Sequence, residues 1–299
     1  MSSSKGGSLA RLALRPPPRL STPSSTRRAR CIREEAASNP TIEIPYNPPV
    51  SNLPTQARTK RSSGPEELPV AVDVVIPAYN EECSLSLVLE AIPRPPVRRV
   101  VVADNNSADR TAEVARQGGA EVVPAPVQGY GSACLAALDH LRRTGAPEIV
   151  VFLDADFSDH PEELPQVVEP ILHGDADVVI GSRVLGEREK GALLPQARAG
   201  NLVACTLIRL LYGHRYTDLG PFRAARWPEL ESLGMEDPNF GWTAELQVKA
   251  LRKGLRVVEV PVSYRKRVGV SKITGTLQGT IRAGYKILWT VFRYSFARL

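Results

Sequence analysis

The chain has 299 residues, 42% hydrophobic and 23% charged, the make-up of a globular protein long enough for one large domain or two smaller ones around a real core. Four scattered cysteines (Cys31, Cys83, Cys134, Cys205), with no CxxC pair and no histidine cluster beside them, exclude a structural zinc and predict reduced thiols in a cytosol-like compartment. The net charge of +6 comes wholly from residues 1–69, and no helix-turn-helix, zinc or RNA-binding signature accompanies it, so nucleic acid is not an expected partner.

Residues 1–69 hold 11 of the 26 prolines and no sustained apolar period. The composition predicts a disordered Pro/Ser/Arg-rich extension. Its first 33 residues are basic, rich in serine and free of acids until Glu34, the composition of an organellar transit peptide. From residue 70 to 299 a folded domain is expected. Short apolar runs at Val72–Pro77, Val100–Ala103, Glu121–Val123, Ile149–Leu153 and Asp177–Ile180 read as strands. They alternate with helical patterns at Ser84–Ile92, Thr111–Gln117, Ser132–Arg143 and Pro161–His173. Near-continuous apolar strands between helices predict an α/β fold, a doubly wound, mostly parallel sheet with helices on both faces.

No stretch reaches the roughly 18–20 apolar residues that span a bilayer. The C-terminal segment is instead amphipathic. Ile273, Leu277, Ile281, Leu288 and Phe292 follow helical spacing, while Arg282, Lys286 and Arg293 share another face. That pattern fits a helix packed on the domain or one lying in a membrane interface. Residues 249–299 carry 12 basic residues and one acid, Glu259, so cations gather at the end of a chain whose acids lie in its middle. An enzyme that holds a metal with carboxylates and turns its C-terminus to phosphates or an anionic membrane would show this polarity, as would a solvated basic helix.

In a sheet of this kind ligands bind beyond the carboxyl ends of the strands. The run Ile149–Leu153 ends in Asp154-Ala-Asp156, two carboxylates at the sheet's rim. Such hard oxygens suit Mg²⁺ or Mn²⁺, which would bridge a substrate diphosphate. A lone Asp-x-Asp is common, and the other rim segments strengthen it. Ile76–Glu82 follows the first strand and Asp104–Thr111 the second. Gln128-Gly129-Tyr130-Gly131 opens the helix after the third, and its glycines permit close backbone approach near a helix N-terminus. Asp104 is suited to accept the imide N–H of uracil or the edge of guanine. Taken singly, these residues also suit helix caps and turns.

Pro77–Glu81, Asp104–Thr111, Asp154-x-Asp156 and Gly181-Ser182-Arg183 together resemble the family 2 glycosyltransferases of GT-A fold. More narrowly, the chain is similar to dolichyl- or polyprenyl-phosphate sugar synthases over about residues 72–290. Later matching segments are Arg198–Asn201, Thr217–Arg223, Gly241–Glu245 and Arg267–Lys272. The resemblance implies a nucleotide-sugar donor, a lipid-phosphate acceptor and a divalent metal at Asp156 helped by Asp154. It further implies that Pro77, Glu81 and Asp104 shape the nucleotide site. Arg183 and Arg198 would bind the acceptor phosphate, and Arg267 and Lys272 the donor diphosphate. Two features depart from relatives: Asp104-Asn-Asn-Ser stands where many have Asp-Asp-Gly-Ser, and no transmembrane helices follow the domain.

Asp218 and Glu245 are the candidates for a general base. A phosphate-monoester acceptor is already largely dianionic, its second pKa being about 6, and needs positioning more than deprotonation. A hydroxyl acceptor needs a true base. The expected function is therefore inverting hexosyl transfer from UDP-glucose or GDP-mannose to a polyprenyl phosphate, on a cytoplasmic protein with peripheral membrane contact. The alternative is a soluble glycosyltransferase using a small-molecule or glycan hydroxyl. Nucleotidyl transfer would need a phosphate-cradling glycine-rich loop after the first strand, where Ala78-Tyr79-Asn80-Glu81 stands instead. A non-enzymatic interaction protein with this fold would have no need of both Asp-x-Asp carboxylates and the basic groups.

Overall fold

A computed structural model describes residues 70–269 and 277–296. The expected extension over 1–69, the basic stretch 1–33 within it, Ile273 and Lys272 lie outside the described residues.

Strand β1 (Val72–Ala78) is buried almost throughout, as its run of β-branched residues requires of a strand covered on both faces. Parallel neighbours flank it on both sides, β2 (Val97–Asp104) and β4 (Ile149–Phe152), and β3 (Glu121–Pro124) adds to β2. The sheet continues through β6 (Arg223–Arg226), β5 (Val178–Ser182) and β7 (Val257–Pro261), giving the order β3-β2-β1-β4-β6-β5-β7. Only β6 runs antiparallel to its neighbours.

Residue alternation divides the core. On one face Val75, Val101, Phe152 and Val178 pack beneath α3 (Tyr130–Thr144), α5 (Pro195–Tyr212), α6 (Trp227–Leu233), α7 (Trp242–Arg252) and α8 (Leu277–Phe296). On the other, Val74, Ile76, Val102 and Val151 meet α1 (Leu85–Ala91), α2 (Thr111–Gln117) and α4 (Leu164–Leu172). The expected doubly wound, mostly parallel α/β sheet is therefore the observed one. The Pro161–His173 pattern splits into a 3₁₀ turn (Pro161–Glu163) and α4, whose second residue is Pro165.

Two strands escape sequence reading. β6 is only Arg-Ala-Ala-Arg, and alanine favours helix. Hydrogen bonding to β4 and β5 on both sides makes it a strand, and burial of Ala224 and Ala225 holds it there. β7 sits at an edge, half-buried, with Glu259 in its middle. The expectation of reduced thiols holds for the buried Cys134 and Cys205 and fails for Cys83, which is disulfide-bonded.

Candidate active site

The register sets Ala78 beside Asp104 and Val75 beside Phe152. The loops after β1, β2 and β4 therefore emerge together on one rim. Side chains then tie them. Asn80 N–H donates to Ser107 Oγ (2.9 Å), Ala108 N–H to Asn80 Oδ1 (2.7 Å), and Glu81 N–H to Thr111 Oγ1 (2.8 Å). Asn105 fixes the next loop, donating Nδ2 to the carbonyls of Ala125 (2.9 Å) and Val127 (2.8 Å) and accepting Gly129 N–H on Oδ1 (2.8 Å). Gly129, with φ +144°, has to be glycine, because a Cβ there would collide with the Pro238 carbonyl and the Asn239 side chain.

The Asp-x-Asp loop turns sharply after Asp156. Asp156 Oδ1 accepts both the N–H (3.0 Å) and the hydroxyl (2.5 Å) of Ser158. Phe157 between them adopts φ +61°, a costly conformation for a bulky residue, and is covered by the Arg265 guanidinium 3.5 Å above its ring. Arg265 also donates to the carbonyls of Phe157 and Asp159, both at 2.8 Å.

These loops enclose a cavity of about 460 Å³. It brings together Pro77, Glu81, Gly129, Asp154, Asp156 and Arg267 from the sequence-predicted set. The other described residues of that set are not part of its lining. Asp104 ends β2, and its carboxylate accepts Ser107 N–H (3.2 Å), while the neighbouring Asn105 lines the cavity. Arg183 and Asp218 form a buried ion pair at 2.7 Å, and Arg183 also lies over the Tyr264 ring. Glu245 is fully buried on α7, paired with Lys249 at 2.7 Å. Its oxygens accept the N–H groups of Glu236 (3.0 Å) and Asp237 (2.8 Å), and Tyr294 Oη of α8 lies 2.8 Å away. Arg198 is exposed near the start of α5. Lys272 lies outside the described residues.

Sequence reading did not single out Tyr130, Asn239 or Phe240, all of which line the cavity. Tyr130 carried a usable signal as the residue between two glycines at a helix start. Asn239 and Phe240 carried none, since they arrive from far along the chain. The close approach of Gly131 to the Asp237 carbonyl seats their loop, and Ser132 N–H donates to the Pro238 carbonyl (2.8 Å).

The electrostatics are those of crowded carboxylates. Burial, and then repulsion from Asp156, push the Asp154 carboxyl up to about 7, while Arg267, Arg183 and Arg223 oppose the rise. Burial raises Asp159 well above the usual carboxylate range, and neither of its oxygens has a hydrogen-bond partner. Arg223, buried to 1% exposure, donates only to the carbonyls of Gly220, Pro221 and Thr243. Its charge is thus left to act on Asp154 and Asp218.

This donor set fits a divalent cation. Asp154 and Asp156 supply hard oxygens in a spot whose negative charge resists ionisation. Among the described residues no group of three or more His, Cys, Asp or Glu side chains could hold a metal by itself. The fit is therefore to an ion that keeps several positions for phosphate oxygens and water, the habit of Mg²⁺ and of chemically similar ions.

Residues 73–225 match Glycosyl transferase family 2, and the chain belongs to that family. It is a glycosyltransferase. An uncharacterized glycosyltransferase of Mycobacterium tuberculosis is 42% identical over 71% of this chain and 94% of its own length. A dolichyl-phosphate hexose transferase of Haloferax volcanii is 37% identical over 67% of this chain and 85% of its own. Among solved structures, glucosyl-3-phosphoglycerate synthase of Mycobacterium tuberculosis, in complex with Mn²⁺, UDP and glucosyl-3-phosphoglycerate, superposes with a TM-score of 0.61 at 25% identity. That alignment covers 77% of this chain and 81% of that one. The fold is the GT-A fold expected from the sequence.

Proposed function

We propose that the chain transfers a hexose from UDP-glucose or GDP-mannose to a polyprenyl or dolichyl phosphate, using Mg²⁺ or Mn²⁺ held by Asp154 and Asp156. The carrying observation is the convergence of both carboxylates with Pro77, Glu81, Gly129 and Arg267 in one cavity at the carboxyl ends of the strands. The lipid-phosphate acceptor is supported by likeness to the dolichyl-phosphate hexose transferase.

The bound cation would act as a Lewis acid toward the leaving diphosphate. The chain's own residues do the rest. Pro77 and Asp104 border the nucleoside, and the backbone at Gly129 lets the diphosphate approach the start of α3. Arg267 and Lys272 grip the diphosphate, Arg267 by its planar fork and Lys272 as a point charge. Arg183 and Arg198 orient the acceptor phosphate. One of its oxygens attacks the anomeric carbon opposite the departing nucleoside diphosphate, so configuration inverts without a covalent intermediate on the enzyme. Such an acceptor arrives already ionised. Asp218 and Glu245 then serve as positioning residues, Asp218 holding Arg183 and Glu245 holding the turn that delivers Asn239 and Phe240. Positioning and electrostatics supply most of the rate.

The acceptor would be met by peripheral contact with a membrane. No helix among the described residues is long and apolar enough to cross one. On α8, Tyr285, Trp289, Phe292 and Phe296 are exposed beside Arg282 and Arg293, the make-up of an interfacial helix.

A second reading, transfer to a small soluble acceptor, is favoured by the fold match to a synthase whose complex contains glucosyl-3-phosphoglycerate. Incubation with Mn²⁺, radiolabelled UDP-glucose or GDP-mannose and a short polyprenyl phosphate separates the two. Label entering the organic phase, and lost in Asp156→Asn, supports lipid transfer. Release of nucleoside diphosphate only with soluble acceptors overturns it.

A further inference from the structure

The two oxygens of Asp156 are not equally engaged. Oδ1 is taken by the N–H and hydroxyl of Ser158, which leaves Oδ2 for other partners. On Oδ2 lies a cation of the chain itself: Arg267 Nη1 at 3.2 Å. The same guanidinium reaches across to Glu81, with Nη2 at 3.0 Å from Oε1. One planar group therefore bridges a carboxylate from the β1 loop to a carboxylate of the Asp-x-Asp loop.

The backbone beneath Arg267 is anchored, so any movement belongs to the side chain. Val268 N–H donates to the Asp156 carbonyl and Arg265 N–H to the Ser158 carbonyl, both at 2.9 Å. Arg267 Nε is buried without an acceptor, so this clamp satisfies the guanidinium incompletely. A diphosphate presents planar pairs of oxygens that use such a fork better than two separated carboxylates do.

Resting on the metal-and-nucleotide reading of this cavity, we infer that Arg267 is the coupling residue between metal and diphosphate: its guanidinium competes with a divalent cation for Asp156 Oδ2 and gives way when a diphosphate draws it off. Two like charges cannot share one carboxylate oxygen without strong repulsion in a partly buried cavity. A cation alone must then expel Arg267 from Asp156 and leave it beside the new charge. With a diphosphate present, Arg267 exchanges carboxylate for phosphate and both cations are neutralised. The pair Glu81 and Asp156 parks Arg267 within reach of the donor. Metal uptake is thereby tied to donor uptake, and the two bind reciprocally.

The test is direct Mn²⁺ binding to the full chain, read from the free-ion electron paramagnetic resonance signal with and without UDP. Arg267→Gln and Arg267→Met are compared with the unmutated chain, so that a folding defect in one, detected by circular dichroism, leaves the other. Both should bind bare Mn²⁺ more tightly, by a factor in the ordinary range for coupled sites, about 5- to 150-fold. Their enhancement by UDP should shrink by a comparable factor. Arg267→Lys, which keeps the charge, should stay nearer the unmutated chain. Unchanged or weakened bare-Mn²⁺ binding in the neutral variants, with UDP-dependent binding intact, would overturn the inference alone. If the unmutated chain binds no Mn²⁺ even with UDP, the metal reading falls and the inference with it. Sugar transfer enters neither measurement, so the identity of the acceptor does not affect the outcome.

Discussion

Arg183 donates Nε and Nη2 to the two oxygens of Asp218 at 2.7 and 2.9 Å, and its own backbone N–H donates to Asp218 Oδ2 at 2.9 Å. Asp218 has no solvent exposure. Around it, Glu259 of β7 accepts the N–H groups of Thr217 and Asp218, and Asn201 of α5 binds Thr217 and Leu219. A strand, a helix and a loop are thus committed to one guanidinium. Removing the carboxylate leaves a largely buried cation, its side chain 13% exposed, without its counter-charge, which costs up to about 3–5 kcal/mol. Asp218→Asn should lower the unfolding free energy obtained from urea titration by an amount in that range, with the denaturant slope unchanged and the midpoint shifted down accordingly. A loss below about 1 kcal/mol would mean that solvent screens the pair as it does a surface ion pair.

Glu245 gathers Lys249, two backbone N–H groups and Tyr294 around one buried carboxylate. Lys286 of α8 also pairs with Asp237 at 2.8 Å. The turn carrying Asn239 and Phe240 is therefore held from both α7 and α8. Glu245→Gln should weaken UDP binding by about tenfold, roughly the effect of 1.4 kcal/mol, while a phosphate acceptor keeps its dependence on pH. Calorimetric titration with UDP reads the first effect. If Glu245 were instead a general base toward a hydroxyl, UDP affinity would hold and the pH profile of transfer would lose its acidic limb.

Asp154 supplies a pH signature. Its carboxyl is raised to about 7, against about 3.9 in an unfolded chain. A raised pKa means that the folded chain holds the proton more firmly than the unfolded one. The group's contribution is therefore fully present below about pH 4 and lost as pH rises through about 7. Burial acts on Asp159 in the same direction. Carboxyls lowered by their partners, Asp177 and Glu236, act oppositely and in acid, losing their contribution as pH falls below their ordinary range. With a chelator present, melting temperature should fall between pH 6 and pH 8, and Mn²⁺ with UDP should restore it at pH 8. Cation binding needs the carboxylate, so Mn²⁺ affinity should drop below about pH 7. Asp154→Asn should flatten both trends.

Gly131 lies at the first turn of α3, where an added Cβ would collide with the Asp237 carbonyl. Gly131→Ala should cost about 1–3 kcal/mol by overpacking and push the Asn239 loop outward. Loss of UDP affinity together with a lowered melting temperature would bear this out. Equal UDP affinity would show that the loop can yield without disturbing the cavity.

The strands and the rim were legible because their signals are local. Val72–Ala78 and Ile149–Phe152 are unbroken apolar runs, and a run buried on both faces can be read without knowing its neighbours. Pro77 lies near the end of the first of those runs, and Glu81, Asp154 and Asp156 come just after them, so the strand-end rule located all four before any contact was known. Asp218 and Glu245 were legible as important carboxylates, and the pairing of Glu245 with Lys249 one helical turn on was legible too, but the rest of their surroundings was not. Their distant partners, Arg183 and Tyr294, lie 35 and 49 residues away, and no periodicity encodes such pairings.

What the chain determined by itself is the order of strand and helix, the metal-suited carboxylates and the polarity of charge, because each depends on neighbours within a few residues. Tertiary structure decided that Arg223–Arg226 is a strand, that Asn239 and Phe240 close the cavity, and that Arg267 bridges Glu81 and Asp156. Each of those depends on a second segment far along the chain, brought there by the sheet order and by burial of both its faces.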